Sequence, residues 1–251
     1  FTCFPAAFAD ISIGLFAPRT FMIVGIVLRG AAYAYRAQGD DASRLSVVWG
    51  HVFGVASMIA PFFFGAAVGG LTVGNYAWSS PFALTTGALA VALCAQIAAV
   101  FLAVETRGEL QADFRARAIT ATFVLAAVGA LALVVARTTA PAVFVALGRA
   151  QSVPGIATAM VLGFAVLFAM WSKRYAFARV IVAFEAIAVL AGWYASQAPY
   201  LVPGVLTFAQ AAAPTETLRA FLWLTAGGAL LLIPSLWLLF RVFKSESIHP
   251  A

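Results

Sequence analysis

Long apolar runs separated by short charged or turn-forming segments dominate the chain. They predict seven helices, over 13–35, 48–71, 81–104, 116–136, 153–171, 178–197 and 217–243. Each is close to the roughly 20 apolar residues that cross a hydrocarbon core. Pro5, Asp10, Pro18 and Arg19 interrupt the approach to the first, so residues 1–12 read as the tail of a preceding helix. The stretch 198–216, with Pro199, Pro203 and Pro214, predicts an ordered loop. Gly227-Gly228 and Pro234 predict a local kink in the last helix. Gly65-x-x-x-Gly69 has the spacing that lets two helix backbones approach closely, or else serves ordinary bundle packing.

Composition turns these helices into membrane spans. The chain has 251 residues, 64% hydrophobic and 10% charged, and a mean hydropathy of +1.00. A soluble domain is about 45–50% apolar and about 25% charged, so a water-soluble fold is excluded. Disorder is excluded too, since it needs low hydrophobicity and high charge. The expected fold is an all-α, polytopic transmembrane helical bundle.

The net charge of +6 sits in short loops, where topology and anionic lipid account for it better than nucleic acid, which is not an expected partner. Ten basic residues (Arg36, Arg44, Arg107, Arg115, Arg117, Lys173, Arg174, Arg179, Arg241 and Lys244) fall in one set of loops, and four (Arg19, Arg137, Arg149, Arg219) in the other. The positive-inside rule places the first set and the C-terminus in the cytoplasm. Trp49, Trp171 and Trp237 fall near one set of span ends, and Trp78, Trp193 and Trp223 near the other, as an interfacial belt requires.

Candidate chemistry is sparse. His51 opens the second span and His249 lies in the tail, so one imidazole near the membrane leaves no bis-histidine haem pair. Two cysteines, Cys3 and Cys94, make no disulfide framework, and Cys94 in mid-run reads as a small buried thiol. No nucleotide or metalloprotease motif is present. Three charges stand out. Arg29 and Arg36 are seven apart and share a helix face. Arg36 suits snorkelling to phosphates, whereas Arg29, about 10 Å deeper, needs a partner and reads as either a structural anchor or a functional charge. Glu185, in VIVAFEAIAVLAGW, is expensive in lipid unless paired or protonated; it reads as a candidate proton relay or an interhelical hydrogen-bonding group. Glu105 to Leu110 with Arg115 and Arg117 predicts a charged, solvated hairpin. Phe1 reads as an interior residue of a longer protein.

Leu28 to Arg36, LRGAAYAYR, resembles the F-R-[PG]-x-x-F-[DE]-[FY]-R signature of subunit II of cytochrome bd quinol oxidase. Trp49-Gly50 followed by Ser57-x-x-x-Pro61-x-x-x-Gly65-x-x-x-Gly69 resembles that family's next helix. Ser80-Pro81-Phe82-Ala83-Leu84-x-x-Gly87 resembles its N-P-F-x-L-x-x-G segment. Thr106-x-Gly108-Glu109-Leu110 with Arg115-x-Arg117-Ala118 resembles its cytoplasmic loop, and Pro199-Tyr200-Leu201-Val202-Pro203 its outer turn.

The resemblance implies two four-helix bundles, divided here as 1–112, lacking its first helix, and 113–251, so that the seven spans are the last seven of an expected eight. It implies a non-haem subunit in the bacterial plasma (inner) membrane. Its partner, subunit I, would carry haems b and d and the quinol site, in contact with the quinol pool and membrane lipid. The activity would be quinol oxidation coupled to reduction of dioxygen to water. This chain would bind no haem itself, and quinone or lipid would contact it. Arg29 and Arg36 match the signature arginines, as structural or interface charges. Ala34 stands where the family has an acidic residue implicated in a proton path. A small secondary transporter, or a scaffold subunit of another membrane complex, is the alternative; Glu185 is the one strong midplane carboxylate a transporter would use.

Overall fold

The computed structural model describes residues 1–38 and 44–245. Its elements in chain order are α1 (Pro5–Gly14), α2 (Phe16–Gln38), α3 (Arg44–Val73), α4 (Pro81–Glu105), α5 (Gly108–Thr139), α6 (Pro141–Leu147), α7 (Val153–Trp171), α8 (Tyr175–Gln197), a short antiparallel pair β1 (Tyr200–Val202) and β2 (Leu206–Thr207), α9 (Phe208–Ala211) and α10 (Thr215–Ser245). Among the described residues six helices are long and apolar enough to cross a membrane, or seven if α1 and α2, bent by 81° across Leu15, count as one span. The protein is an all-α, polytopic membrane protein.

The chain divides into two compact units. One holds residues 11–207. Within it α2 packs on α3, α3 on α4, α4 on α5 and α7 on α8, while α4 also touches α8 and α5 touches α7. Ala99, Val100 and Ala103 of α4, Ala118 of α5, Val166, Ala169 and Met170 of α7, and Ala178, Ile181 and Val182 of α8 form its main core. Small residues let these backbones close in. A Cβ on Gly65 would lie 2.6 Å from Thr86 O, one on Gly69 2.6 Å from Ala83 Cα, and one on Gly87 2.7 Å from Phe62 O. The Gly65-x-x-x-Gly69 spacing therefore marks the antiparallel α3–α4 contact.

Caps explain the element ends. Ser80 caps α4, its Oγ accepting from Ala83 N at 3.3 Å, with Pro81 at the first helical position. At the other end Thr106 Oγ1 donates to Leu102 O at 2.7 Å. Gln111 Nε2 donates to Ala103 O (2.9 Å) and Thr106 O (2.8 Å), filling carbonyls that a helix end leaves open. Gly108, at φ +68°, then starts α5 at once.

Two expectations are corrected. The charged hairpin expected up to Arg117 shrinks to Thr106–Arg107, because residues 108–117 are the first turns of α5. Arg115 Nε donates to Met170 O at 2.8 Å and Arg179 Nη1 to Glu105 Oε1 at 3.1 Å, tying the α4–α5 turn to the α7–α8 turn. Cys94 is exposed on α4 rather than buried, since the inward face of that helix is the Ala92, Gln96, Ala99, Ala103 stripe. The connection after the fourth span contains α6, which Pro141 opens.

The second unit holds residues 1–10 and 208–251. Ala213 N donates to Cys3 O at 2.8 Å, and the Phe4 and Phe208 rings meet edge-on at 6.3 Å. α10 is a continuous helix through Gly227, Gly228 and Pro234, and its spanning window buries none of its residues. The side chains of Arg44 and Lys244, and His249, lie outside the described residues.

Candidate functional site

Glu185 lies on the inward stripe of α8, with Ile181, Val182 and Ala188. That position, one helical turn from Ile181, turns its carboxyl into the bundle, where it is 4% exposed. Each of three other helices supplies a residue at the same level. Gln96 of α4, fully buried, donates from Nε2 to Glu185 Oε2 at 3.0 Å and to Thr122 Oγ1 of α5 at 3.1 Å. Thr122 Oγ1 in turn donates a hydrogen bond to Ala118 O at 2.9 Å. On α7, Gly163 leaves the carboxyl its room: a Cβ there would stand 3.0 Å from Glu185 Oε1. Gln96 Oε1 is buried without a hydrogen-bond partner among the described residues. A carboxyl, an amide and a hydroxyl in a buried interior can hold or hand on a proton and orient one another. They contain no electron carrier.

Arg29 has the opposite setting. It is exposed on α2, with its guanidinium carbon 5.5 Å from the centre of the Phe53 ring of α3. Arg36 is also exposed and borders a cleft with Ser46, Val47, Gly50 and His51. Beside them Tyr35 and Trp49 stack at 4.8 Å.

The remaining motif positions do local structural work. Ser57 Oγ donates to Phe53 O at 2.7 Å, one turn before Pro61, which is inside α3. Gly65 and Gly87 form the α3–α4 contact, and Pro81, Thr106 and Gly108 begin or end helices. Glu109 is exposed in the first turn of α5, where a carboxylate suits the helix dipole. A second polar cluster escaped the sequence reading. Thr72 Oγ1 accepts from Gln197 Nε2 (2.7 Å) and Trp193 Nε1 (3.0 Å) and donates to Val68 O (2.7 Å), joining the C-terminal ends of α3 and α8. Trp193 is thus also a packing group. Gln96, Thr122, Thr72 and Gln197 are neutral residues in apolar runs, and only their pairing across 26 to 125 positions reveals them.

Among the described residues the donors do not suit haem. Among the described residues no three His, Cys, Asp or Glu side chains converge. His51, their single histidine, donates from Nδ1 to Val47 O at 2.8 Å, and Met170 is fully buried in the core. These groups do not make the axial pair that a low-spin haem takes.

The family model for cytochrome bd terminal oxidase subunit II matches residues 1–243. The chain belongs to that family. Its members are parts of a terminal oxidase, an oxidoreductase complex, so the chain works alongside another subunit. The fold is similar to that of bd oxidase from Geobacillus thermodenitrificans, with a TM-score of 0.78 over 96% of this chain and 77% of that chain, at 20% identity. No curated protein matches the sequence.

Proposed function

We propose that this chain is the haem-free subunit of a quinol-oxidising bd-type oxidase. It assembles with subunit I, which carries haems b and d and the quinol site, in a bacterial plasma membrane. Electrons pass from quinol to dioxygen through subunit I, and water is the product. The observation that carries this reading is the family match over residues 1–243. The ten-to-four division of basic residues supports a cytoplasmic C-terminus.

The α2–α3 face is the proposed seat of subunit I. Arg29 is exposed there in mid-span, and a Cβ on Gly30, Gly50 or Gly54 would meet nothing within 4 Å. An intramembrane cation beside open backbone suits a partner helix with a carboxylate or carbonyl. The cleft at Arg36 and His51 suits the phosphate of a lipid headgroup. Glu185 is proposed to hold a proton within the bundle, in a path separate from the one that Ala34 interrupts.

The test is a purification through a tag on this chain, followed by the visible spectrum. Haem b and d bands are expected; a stable, intact preparation without them sinks the oxidase reading. Glu185→Gln is expected to slow proton-coupled turnover of the assembled complex, and unchanged turnover removes the proton role.

A further inference from the structure

Gln96 is an amide with one end engaged and the other unpartnered. With Glu185 as a carboxylate, the network accounts for every proton. The two Nε2 hydrogens go to Glu185 Oε2 (3.0 Å) and Thr122 Oγ1 (3.1 Å), and the Thr122 hydrogen goes to Ala118 O (2.9 Å). Oε1 is left over. A proton added to the facing carboxyl oxygen, Oε2, sets an O–H donor against an N–H donor. Turning the amide end for end removes the conflict. Oε1 then accepts from the new O–H, its second lone pair accepts from Thr122, and Nε2 takes the unpartnered position. Each orientation leaves one amide end without a partner, and each matches one protonation state of Glu185. Buried polar groups are otherwise almost all hydrogen-bonded.

We infer that Gln96 is a positioning residue for Glu185, reversing its side-chain amide when Glu185 gains or loses a proton, with Thr122 following by rotation of its hydroxyl. The step makes one O–H bond on Glu185 and breaks one on the hydronium ion or buffer acid that supplies the proton, the reverse holds on deprotonation, and no electrons are transferred. It rests on the reading of Glu185 as a proton-holding group. The surroundings leave the amide as the responding element. Facing Glu185 are Gln96 from α4 and Gly163 from α7, and Thr122 from α5 faces Gln96 in turn. Apart from the exposed Cys94, the titratable groups of these helices lie at or near helix ends: Glu105 on α4; Glu109, Asp113, Arg115, Arg117 and Arg137 on α5; Tyr175, Arg179 and Tyr194 on α8; none on α7. Arg179 is six residues from Glu185, about 9 Å along the axis, and is engaged by Glu105. Reversal about one terminal torsion needs no backbone motion, because that torsion has a broad, roughly two-fold profile.

Infrared pH-difference spectra of the intact complex, purified through this chain, test the inference. A carboxyl band lost in Glu185→Gln and a side-chain amide band lost in Gln96→Met are expected to change together, with one midpoint. In Gln96→Met the carboxyl band still titrates, at a higher stretching frequency because its hydrogen-bond partner is gone. If that variant does not assemble, wild-type complex made with amide-labelled glutamine identifies the amide band instead. A titrating Glu185 band with no accompanying amide change overturns the coupling and leaves the proton-site reading standing. No titrating band assignable to Glu185 overturns both. Movement of both bands with sodium at constant pH assigns the site to a metal cation and also overturns the inference.

Discussion

Arg29 and Glu185 are both ionisable groups set in long apolar helices, yet their surroundings are opposite. Arg29 lies on the exposed face of α2 with an aromatic ring as its neighbour. Glu185 lies inside four helices, with an amide as its hydrogen-bonding partner. The difference separates two ways of tolerating charge in lipid. A cation on a long stem can be left for an incoming partner or a headgroup to satisfy. A carboxyl on a short stem must be satisfied by its own bundle, or carry a proton. The same hydropathy profile therefore contains an exposed charge and an internal one.

Charge reversal at the exposed site should break the comparison most strongly. Arg29→Glu is expected to reduce haem recovered with the tagged chain more than tenfold. Breaking one side of a desolvated interfacial charge pair costs roughly 2–5 kcal/mol. Recovery equal to wild type would move the partner's seat away from α2–α3. Glu185→Gln, by contrast, should leave recovery within about twofold, since its side chain faces inward.

The interior site predicts a smaller, coupled effect. Gln96→Leu leaves a buried carboxyl without its donor and should destabilise the complex by about 1–3 kcal/mol in denaturant or thermal unfolding. Adding Glu185→Leu should return most of that loss, because removing both members of a buried polar pair is close to neutral. Additive losses in this double-mutant cycle would show that the two side chains do not act as a pair.

The smallest effect is steric. Gly163→Ala places a methyl 3.0 Å from Glu185 Oε1, which should cost about 1 kcal/mol and displace the carboxyl. The cost should vanish in Glu185→Ala, which removes the colliding atom. An equal cost in both backgrounds would locate the strain elsewhere in the α7–α8 contact.

The spans were legible because a run of about 20 apolar residues has one use in this composition. Their ends were legible only where a residue punctuates the chain. Ser80-Pro81 set the start of α4 to the residue. The start of α5 was read eight residues late, because Glu109, Asp113, Arg115 and Arg117 suggested a solvated loop. Those residues are helical, and Arg115 reaches across to the end of α7. The motif glycines Gly65 and Gly87 were visible as small residues, and the close α3–α4 approach gives them their purpose.

By itself the sequence determined the membrane setting, the order of the spans and their number to within one, the basic bias of alternate loops and the family to which the motifs belong. These follow from composition and local spacing. Only the tertiary structure decided which face of each helix turns inward. In helices apolar on all sides, polarity does not mark the inner face, so packing alone put Gln96, Thr122 and Gly163 beside Glu185 and left Arg29 and Cys94 outside.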